Sequence, residues 1–111
     1  MAAKRSAPAP TLVLLVRHGQ TPTTGSTLPG RARGLHLAET GHAQAKAAAA
    51  RIARFGEIAA IYASPLERTR ETARPIARER GLKVQIDRGL LECDFGDWTG
   101  KKLDTLRKLP E

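Results

Sequence analysis

The sequence contains a histidine, two arginines and a glutamate that together could transfer a phosphoryl group: His18, Arg17, Arg68 and Glu92. A neutral imidazole is a nucleophile toward phosphorus, and a phosphohistidine intermediate divides one difficult displacement into two easier ones. Flanking arginines clamp the phosphoryl oxygens and disfavour the imidazolium form of His18. A carboxylic acid such as Glu92 can protonate the leaving alkoxide, which is worth roughly 10²- to 10⁴-fold in rate. This scheme requires no metal ion and no cofactor.

An apolar run at residues 12–16 ends abruptly at Arg17 and His18. Its residues are consecutively apolar, partly β-branched and too few for a helix, which predicts a strand buried on both faces of a sheet. Ligands of open α/β sheets sit at the carboxyl ends of such strands. Gly19 follows, and its lack of a side chain would let a phosphate-sized group approach His18. The alternative is that His18 is a structural histidine at the end of a strand.

Residues 20–37 contain Thr, Gly, Pro and Arg without a helical or alternating period, which predicts a long loop. Loops of this length inside a compact domain are often functional, so Arg31 and Arg33 could line a pocket for an anion. Two exposed arginines on a mobile loop are the alternative.

Helical patterns follow in two segments. Residues 37–54 are rich in alanine and are predicted to form an amphipathic helix. The second helix is predicted to begin with Ser64 as N-cap, Pro65 at the first helical position and Glu67 closing a capping box. Its positive end, with Arg68 one turn in, then points toward the ligand edge of the sheet. The predicted stripe of the first helix consists of Ala43, Ala47, Ala50 and Arg54.

The second helix also carries three arginines at intervals of four residues, which we predict to face solvent and to pair partly with two nearby acids. Pro75 removes one hydrogen bond within the helix and is predicted to kink or divide it, and Gly81 is predicted to end it. The arginines are Arg70, Arg74 and Arg78, and the acids are Glu67 and Glu71.

Short apolar segments at 58–63 and 82–86 are predicted to form the second and third strands. Alternation of strands and helices, with connections long enough for crossovers, indicates parallel strands joined in the right-handed sense. Glu92 then lies in a loop at residues 90–100, and residues 101–109 are predicted to form a short helix.

Composition indicates one domain with an aliphatic core, because only 4% of the 111 residues are aromatic and 41% are hydrophobic. A formal charge of +8 suits an anionic ligand, although the aromatic residues expected of a surface for single-stranded nucleic acid are missing. The single cysteine, Cys93, excludes an internal disulfide and favours a cytoplasmic location. Residues 1–10 are predicted to be a disordered arm rather than a secretion signal, and no segment is apolar and long enough to span a bilayer.

Three motifs, R-H-G-Q-T, S-P-L-E-R-T-R-E-T-A and L-L-E-C-D-F-G-D-W-T-G, occur here in an order and spacing that resemble the histidine phosphatase superfamily, the phosphoglycerate mutase-like proteins. The resemblance covers nearly all of residues 11–100. It implies a three-layer α/β/α sandwich around a mostly parallel sheet, and activity on phosphomonoesters without a metal. It also implies that His18 is the phosphorylated nucleophile, that Arg17 and Arg68 bind phosphate, and that Glu92 donates a proton.

Two positions depart from the family pattern. Thr24 stands where the family commonly has an asparagine in the phosphate-binding loop, which would alter one phosphate contact. The family also completes its phosphate pocket with a second histidine after a late strand, whereas the histidines beyond His18 are His36 and His42, in other contexts. The sequence therefore predicts that residues 11–111 are an amino-terminal part of such a domain, with part of the sheet lacking.

We accordingly predict a phosphatase or phosphomutase that acts on a small phosphorylated substrate and is weak or inactive as this chain alone. A non-catalytic phosphate-binding or regulatory remnant of the same fold is the first alternative. A basic nucleic-acid-binding domain, suggested by charge alone, is the second. An incomplete sheet is further expected to dimerise or aggregate through its edges.

Overall fold

A computed structural model describes residues 9–110, so most of the arm predicted at residues 1–10 lies outside the described residues. Within residues 9–110, three α-helices and two short strands alternate in an α/β arrangement, and two single-turn 3-10 helices lie at Arg88–Leu90 and Gly96–Trp98. None of the helices in this range is long and apolar enough to cross a membrane. The elements are α1 (Glu39–Ile52), β1 (Ile61–Ala63), α2 (Glu67–Arg80), β2 (Val84–Ile86) and α3 (Leu103–Arg107).

Helix α1 confirms the predicted helix, with each end two residues inside the predicted bounds. Its buried face differs from the predicted stripe, because alanine occurs on every side of this helix and its spacing alone does not identify the inner side. The predicted stripe is exposed to solvent. The residues that are buried instead are Gly41, Ala45, Ala49 and Ile52, a row of mostly small side chains where α1 packs on α2.

Helix α2 begins at Glu67, three residues after the predicted N-cap, and Leu66 occupies the cap position without a side-chain hydrogen bond. The hydroxyl of Ser64 lies 2.6 Å from that of Thr69 instead. The predicted capping box is therefore wrong. The helix runs undivided through Pro75 and ends, as predicted, at Gly81, which adopts the left-handed conformation with φ of 63°.

Strands β1 and β2 form a two-stranded parallel sheet in which Ile61 pairs with Val84 and Ala63 with Ile86. Helix α2 connects them, so the predicted crossover is confirmed, although each strand is shorter than predicted. A small apolar cluster lies beside this sheet, where Ile76 of α2 packs with α1.

Residues 12–16 form no strand in the part of the chain that the structure describes, so this prediction is wrong. Leu12 is 69% exposed and Leu15 is 90% exposed, whereas Leu14 packs against the apolar cluster. An interior strand needs neighbours that pair with its backbone on both sides. Between residues 9 and 110, the two strands pair only with each other.

Candidate active site

Gly19 fixes the Arg17–His18–Gly19 segment against helix α2. Its backbone N–H donates to the hydroxyl of Thr72 at 3.0 Å, and that hydroxyl donates to the carbonyl oxygen of Arg68 at 2.7 Å. Gly19 and Thr72 are both buried. The contact brings the histidine-bearing segment within one helical turn of Arg68.

The start of helix α1 holds the same segment from the other side. A Cβ atom added to Gly19 would lie 2.6 Å from the carbonyl oxygen of Gly41, and Ala38 donates its N–H to Gln20 at 2.9 Å. The glycine at position 19 is thus required for two backbones to cross closely. Its N–H is engaged by Thr72, so the structure gives it a packing role, whereas the sequence suggested room for a phosphate.

The ring of His18 is half-buried, and its Nδ1 lies 2.7 Å from the carbonyl oxygen of Gly19. A carbonyl oxygen only accepts hydrogen bonds, so in neutral His18 this contact places the proton on Nδ1. The lone pair of the neutral ring is then on Nε2, which is the atom available to attack phosphorus. Arg17, the neighbouring residue, is exposed.

Arg68 is almost completely buried, with 1% of its surface exposed. Its guanidinium donates to the carbonyl oxygens of Gly30 at 2.5 Å and Ala32 at 3.3 Å. Its Nε is buried without a hydrogen-bond partner among the described residues. Burial lowers the pKa of Arg68, while the charges of Glu92 and Glu67 oppose that shift.

Two glutamates of α2 anchor the loop that Arg68 contacts. Glu67 accepts from the N–H of Gly34 at 3.0 Å, and Glu71 lies 2.8 Å both from Nδ1 of His36 and from the N–H of Leu37. Burial raises the pKa of Glu71, but the hydrogen bonds from His36 and Leu37 outweigh it and lower the pKa overall. The predicted pairing of these glutamates with the arginines of the same helix is therefore wrong.

The predicted solvent-facing arginines of α2 are confirmed as exposed. No acid in residues 9–110 forms an ion pair with them. The three residues are Arg70, Arg74 and Arg78.

Glu92 is exposed, and its side-chain Oε1 accepts from the N–H of Cys93 at 2.8 Å. Its backbone carbonyl accepts from Nε of Arg31 at 2.7 Å. The charge of Glu92 opposes the lowering of the Arg68 pKa that burial causes. Cys93 beside it is a free, exposed thiol.

Thr24 turns its hydroxyl toward its own loop. Its Oγ1 accepts from the N–H of Thr21 at 2.8 Å and lies 2.9 Å from the Thr21 hydroxyl. The structure therefore gives Thr24 a local role in closing the turn at residues 21–24. Of the predicted site, Gly19 contacts α2 through Thr72, Arg68 lies within that helix, and Glu92 is bound through its backbone carbonyl to Arg31. Thr24 forms no hydrogen bond with these three residues within residues 9–110.

Sequence reasoning missed the residues that hold this group together. Thr72 lies four residues after Arg68 within the S-P-L-E-R-T-R-E-T-A motif, and helical spacing alone places the two residues on one face of the helix. For Glu71 the sequence indicated only an acidic residue on a helix, and nothing in it pointed to the contacts with His36 and Leu37. Gly41 carried no signal, because its role depends on a backbone crossing between distant segments.

Known proteins share much of this sequence. Residues 13–111 match the histidine phosphatase superfamily (branch 1). A Mycobacterium tuberculosis protein named as bifunctional is 44% identical over 91 residues, which cover 82% of this chain and 25% of that protein. Phosphoserine phosphatase 1 of Hydrogenobacter thermophilus is 36% identical over 103 residues, covering 89% of this chain and 47% of the relative.

The same relationship appears among solved structures. A mycobacterial glucosyl-3-phosphoglycerate phosphatase superposes with a TM-score of 0.73 at 34% identity, covering 80% of this chain and 42% of that one. The chain thus spans less than half of the length of each of these three relatives. With the family match extending over nearly its whole length, the chain belongs to branch 1 of the histidine phosphatase superfamily.

Proposed function

We propose that the chain carries the phosphoryl-accepting part of a metal-independent phosphomonoester phosphatase or phosphomutase. The observation that supports this most directly is the 2.7 Å contact between Nδ1 of His18 and the carbonyl of Gly19. In the neutral imidazole this contact leaves Nε2 as the unprotonated nitrogen, which is the nucleophile that a phosphohistidine mechanism needs.

In the proposed reaction, Nε2 of His18 attacks phosphorus and the bond from phosphorus to the substrate oxygen breaks. The leaving oxygen takes a proton from the carboxyl group of Glu92. Arg17 and Arg68 stabilise the negative charge on the phosphoryl oxygens. Water then attacks phosphorus and returns a proton to Glu92, the P–N bond breaks, and inorganic phosphate leaves. In a phosphomutase, a second substrate hydroxyl takes the place of water.

The substrate class follows from the relatives. Their names specify glucosyl-3-phosphoglycerate and phosphoserine as substrates, and both are small phosphomonoesters. We therefore propose a small phosphorylated metabolite as the substrate of this chain. Because the chain spans under half of each relative, we expect slow turnover when these 111 residues act alone.

The test is acid-labile, base-stable phosphate on the protein after incubation with p-nitrophenyl phosphate, located by mass spectrometry. We expect it on His18, absent from His18→Gln and retained in the matched variants His36→Gln and His42→Gln. Phosphate that persists in His18→Gln would overturn the proposed mechanism.

A second candidate is a phosphate-binding protein without turnover. In both candidates the guanidinium of Arg68, which already donates to Gly30 and Ala32, must exchange these carbonyls for phosphoryl oxygens. Binding of inorganic phosphate measured by calorimetry, without any phosphohistidine, would support this second candidate over the first.

A further inference from the structure

Residues 26–31 run alongside the segment that carries Glu92. Thr27 and Lys102 form an antiparallel bridge, and Leu28 exchanges two backbone hydrogen bonds with the facing segment. These bonds are 2.9 Å from the N–H of Leu28 to Lys101 and 2.7 Å from the N–H of Gly100 to Leu28. The two loops therefore form one unit, although some 70 residues separate them in the sequence.

The contact continues to Gly30 and ends at Arg31. A Cβ atom on Gly30 would lie 3.0 Å from the hydroxyl oxygen of Thr99 and 3.2 Å from the ring of Phe95, and its φ of +51° favours glycine. One residue later, Nε of Arg31 donates to the backbone carbonyl of Glu92 at 2.7 Å. Arg31 thus forms the contact between the two loops that directly involves the proposed proton donor.

The backbone around Arg31 also holds the proposed phosphate ligand. The carbonyls on either side of it, those of Gly30 and Ala32, accept from the two terminal nitrogens of Arg68. Residues 30–32 therefore contact both site residues. The backbone carbonyls of Gly30 and Ala32 accept from Arg68, and the side chain of Arg31 donates to the backbone of Glu92. A change in the Arg31 contact would move Glu92 relative to the guanidinium of Arg68.

We infer that Arg31 is a positioning residue for Glu92. It fixes the proton-donating carboxyl relative to the phosphoryl group that Arg68 would hold, and this inference rests on the function proposed above. An arginine suits the task because Nε binds the carbonyl in the plane of the guanidinium, while the terminal nitrogens keep their hydration at the exposed surface. Misplacement of a reacting group by about 1 Å can cost about 10²-fold in rate.

The experiment measures how fast His18 is phosphorylated by two donors that differ in leaving group. Phosphoserine releases a poor leaving group that needs a proton, whereas p-nitrophenyl phosphate releases a good one that does not. We expect Arg31→Gln to slow phosphorylation from phosphoserine at least about tenfold and to leave the rate from p-nitrophenyl phosphate within about twofold. Arg31→Lys should recover part of the loss, because an ammonium also donates to a carbonyl.

Further variants show whether Arg31 acts through Glu92. Glu92→Gln should show the same dependence on leaving group, and Arg31→Gln combined with Glu92→Gln should be no slower than Glu92→Gln alone. Arg54→Gln removes the same charge from an exposed position beyond the far end of α1 and should change neither rate. Urea unfolding of each variant checks that it folds.

Several results would overturn the inference. An equal loss with both donors would mean that Arg31 acts on phosphate binding or folding, and additive losses in the double variant would mean that it acts independently of Glu92. If Arg31→Gln does not fold, Arg31→Lys decides between the same outcomes. Failure of the unmodified chain to be phosphorylated by either donor would reject the proposed function itself, and the inference with it.

Discussion

Two regions of this small domain differ in which side chains they bury. Around the first turns of α2, a buried arginine and a buried threonine find partners in the segments at residue 19 and residues 30–32. At residues 12–16, by contrast, most of an apolar run faces solvent. In the α2 region the polar residues Arg68 and Thr72 are buried and hydrogen-bonded. At residues 12–16, apolar side chains that are ordinarily buried are exposed.

The difference follows from what each kind of group needs. A buried side-chain donor is satisfied by one or two carbonyls, which a nearby loop can supply. An interior strand needs whole neighbouring strands, because every residue presents an N–H and a C=O group. Large exposed apolar surfaces also promote association between molecules. We therefore expect the α2 region to be sensitive to single substitutions and residues 12–16 to be tolerant of them.

The largest effect is expected from Arg68→Met. This change removes a charged donor from the buried carbonyl of Gly30 and the half-buried carbonyl of Ala32 and leaves both unsatisfied, which should lower the free energy of unfolding by about 3 kcal/mol or more. Arg70→Met on the exposed side of the same helix should change it by less than about 0.5 kcal/mol. Urea denaturation followed by circular dichroism measures the free energy of unfolding of both variants. Equal losses would contradict the role assigned to the buried guanidinium of Arg68.

Gly41→Ala should come next. A Cβ atom there would overlap the carbonyl oxygen of Gln20, so the crossing of the two backbones must open. We expect a loss of about 1–3 kcal/mol in the free energy of unfolding, despite the better helix propensity of alanine. Gly56→Ala is the control, because its Cβ would meet no atom within 4 Å. A stabilised Gly41→Ala variant would show that the close crossing is not formed.

Acid should weaken the anchoring of the loop on α2. The pKa of Glu71 is lowered in the folded protein, so its contribution is present above the pKa of the unfolded carboxyl, about 4.3, and is lost as pH falls through the lower folded value. Glu71→Gln should remove about 1 kcal/mol at pH 7 and make stability fall less steeply below pH 4.3. Urea midpoints between about pH 2.5 and pH 7 measure this.

Glu79→Gln is the matched control for that titration, since Glu79 lies on the same helix and is exposed. Its stability profile should follow that of the unmodified chain. If Glu71→Gln follows the same profile as well, the contacts of Glu71 with His36 and Leu37 contribute nothing to stability.

The smallest effect is expected in the exposed run. Leu15→Thr should change the free energy of unfolding by less than about 0.5 kcal/mol and should reduce self-association in light scattering. Ile76→Val, which removes one methylene from the buried cluster, should cost about 0.5–1.5 kcal/mol. A greater loss from Leu15→Thr than from Ile76→Val would mean that residues 12–16 are covered in solution.

Much of the architecture was predictable from local pattern. The long helices, the left-handed glycine that ends α2 and the parallel pairing of two strands all follow from spacing and residue type over short windows. The motifs that resemble the family were likewise readable, because their residue types and order are properties of the chain alone. Those features required no knowledge of which segments meet.

Tertiary structure decided the remainder. The buried face of α1, the partners of Glu67 and Glu71, and the bond from Arg31 to Glu92 all join segments far apart in the sequence. The missing strand at residues 12–16 has the same cause, since an apolar run becomes a strand only beside another one. The sequence by itself determined which residues are able to do chemistry, and packing between distant segments determined how they are held, because such contacts depend on three-dimensional proximity that local patterns do not encode.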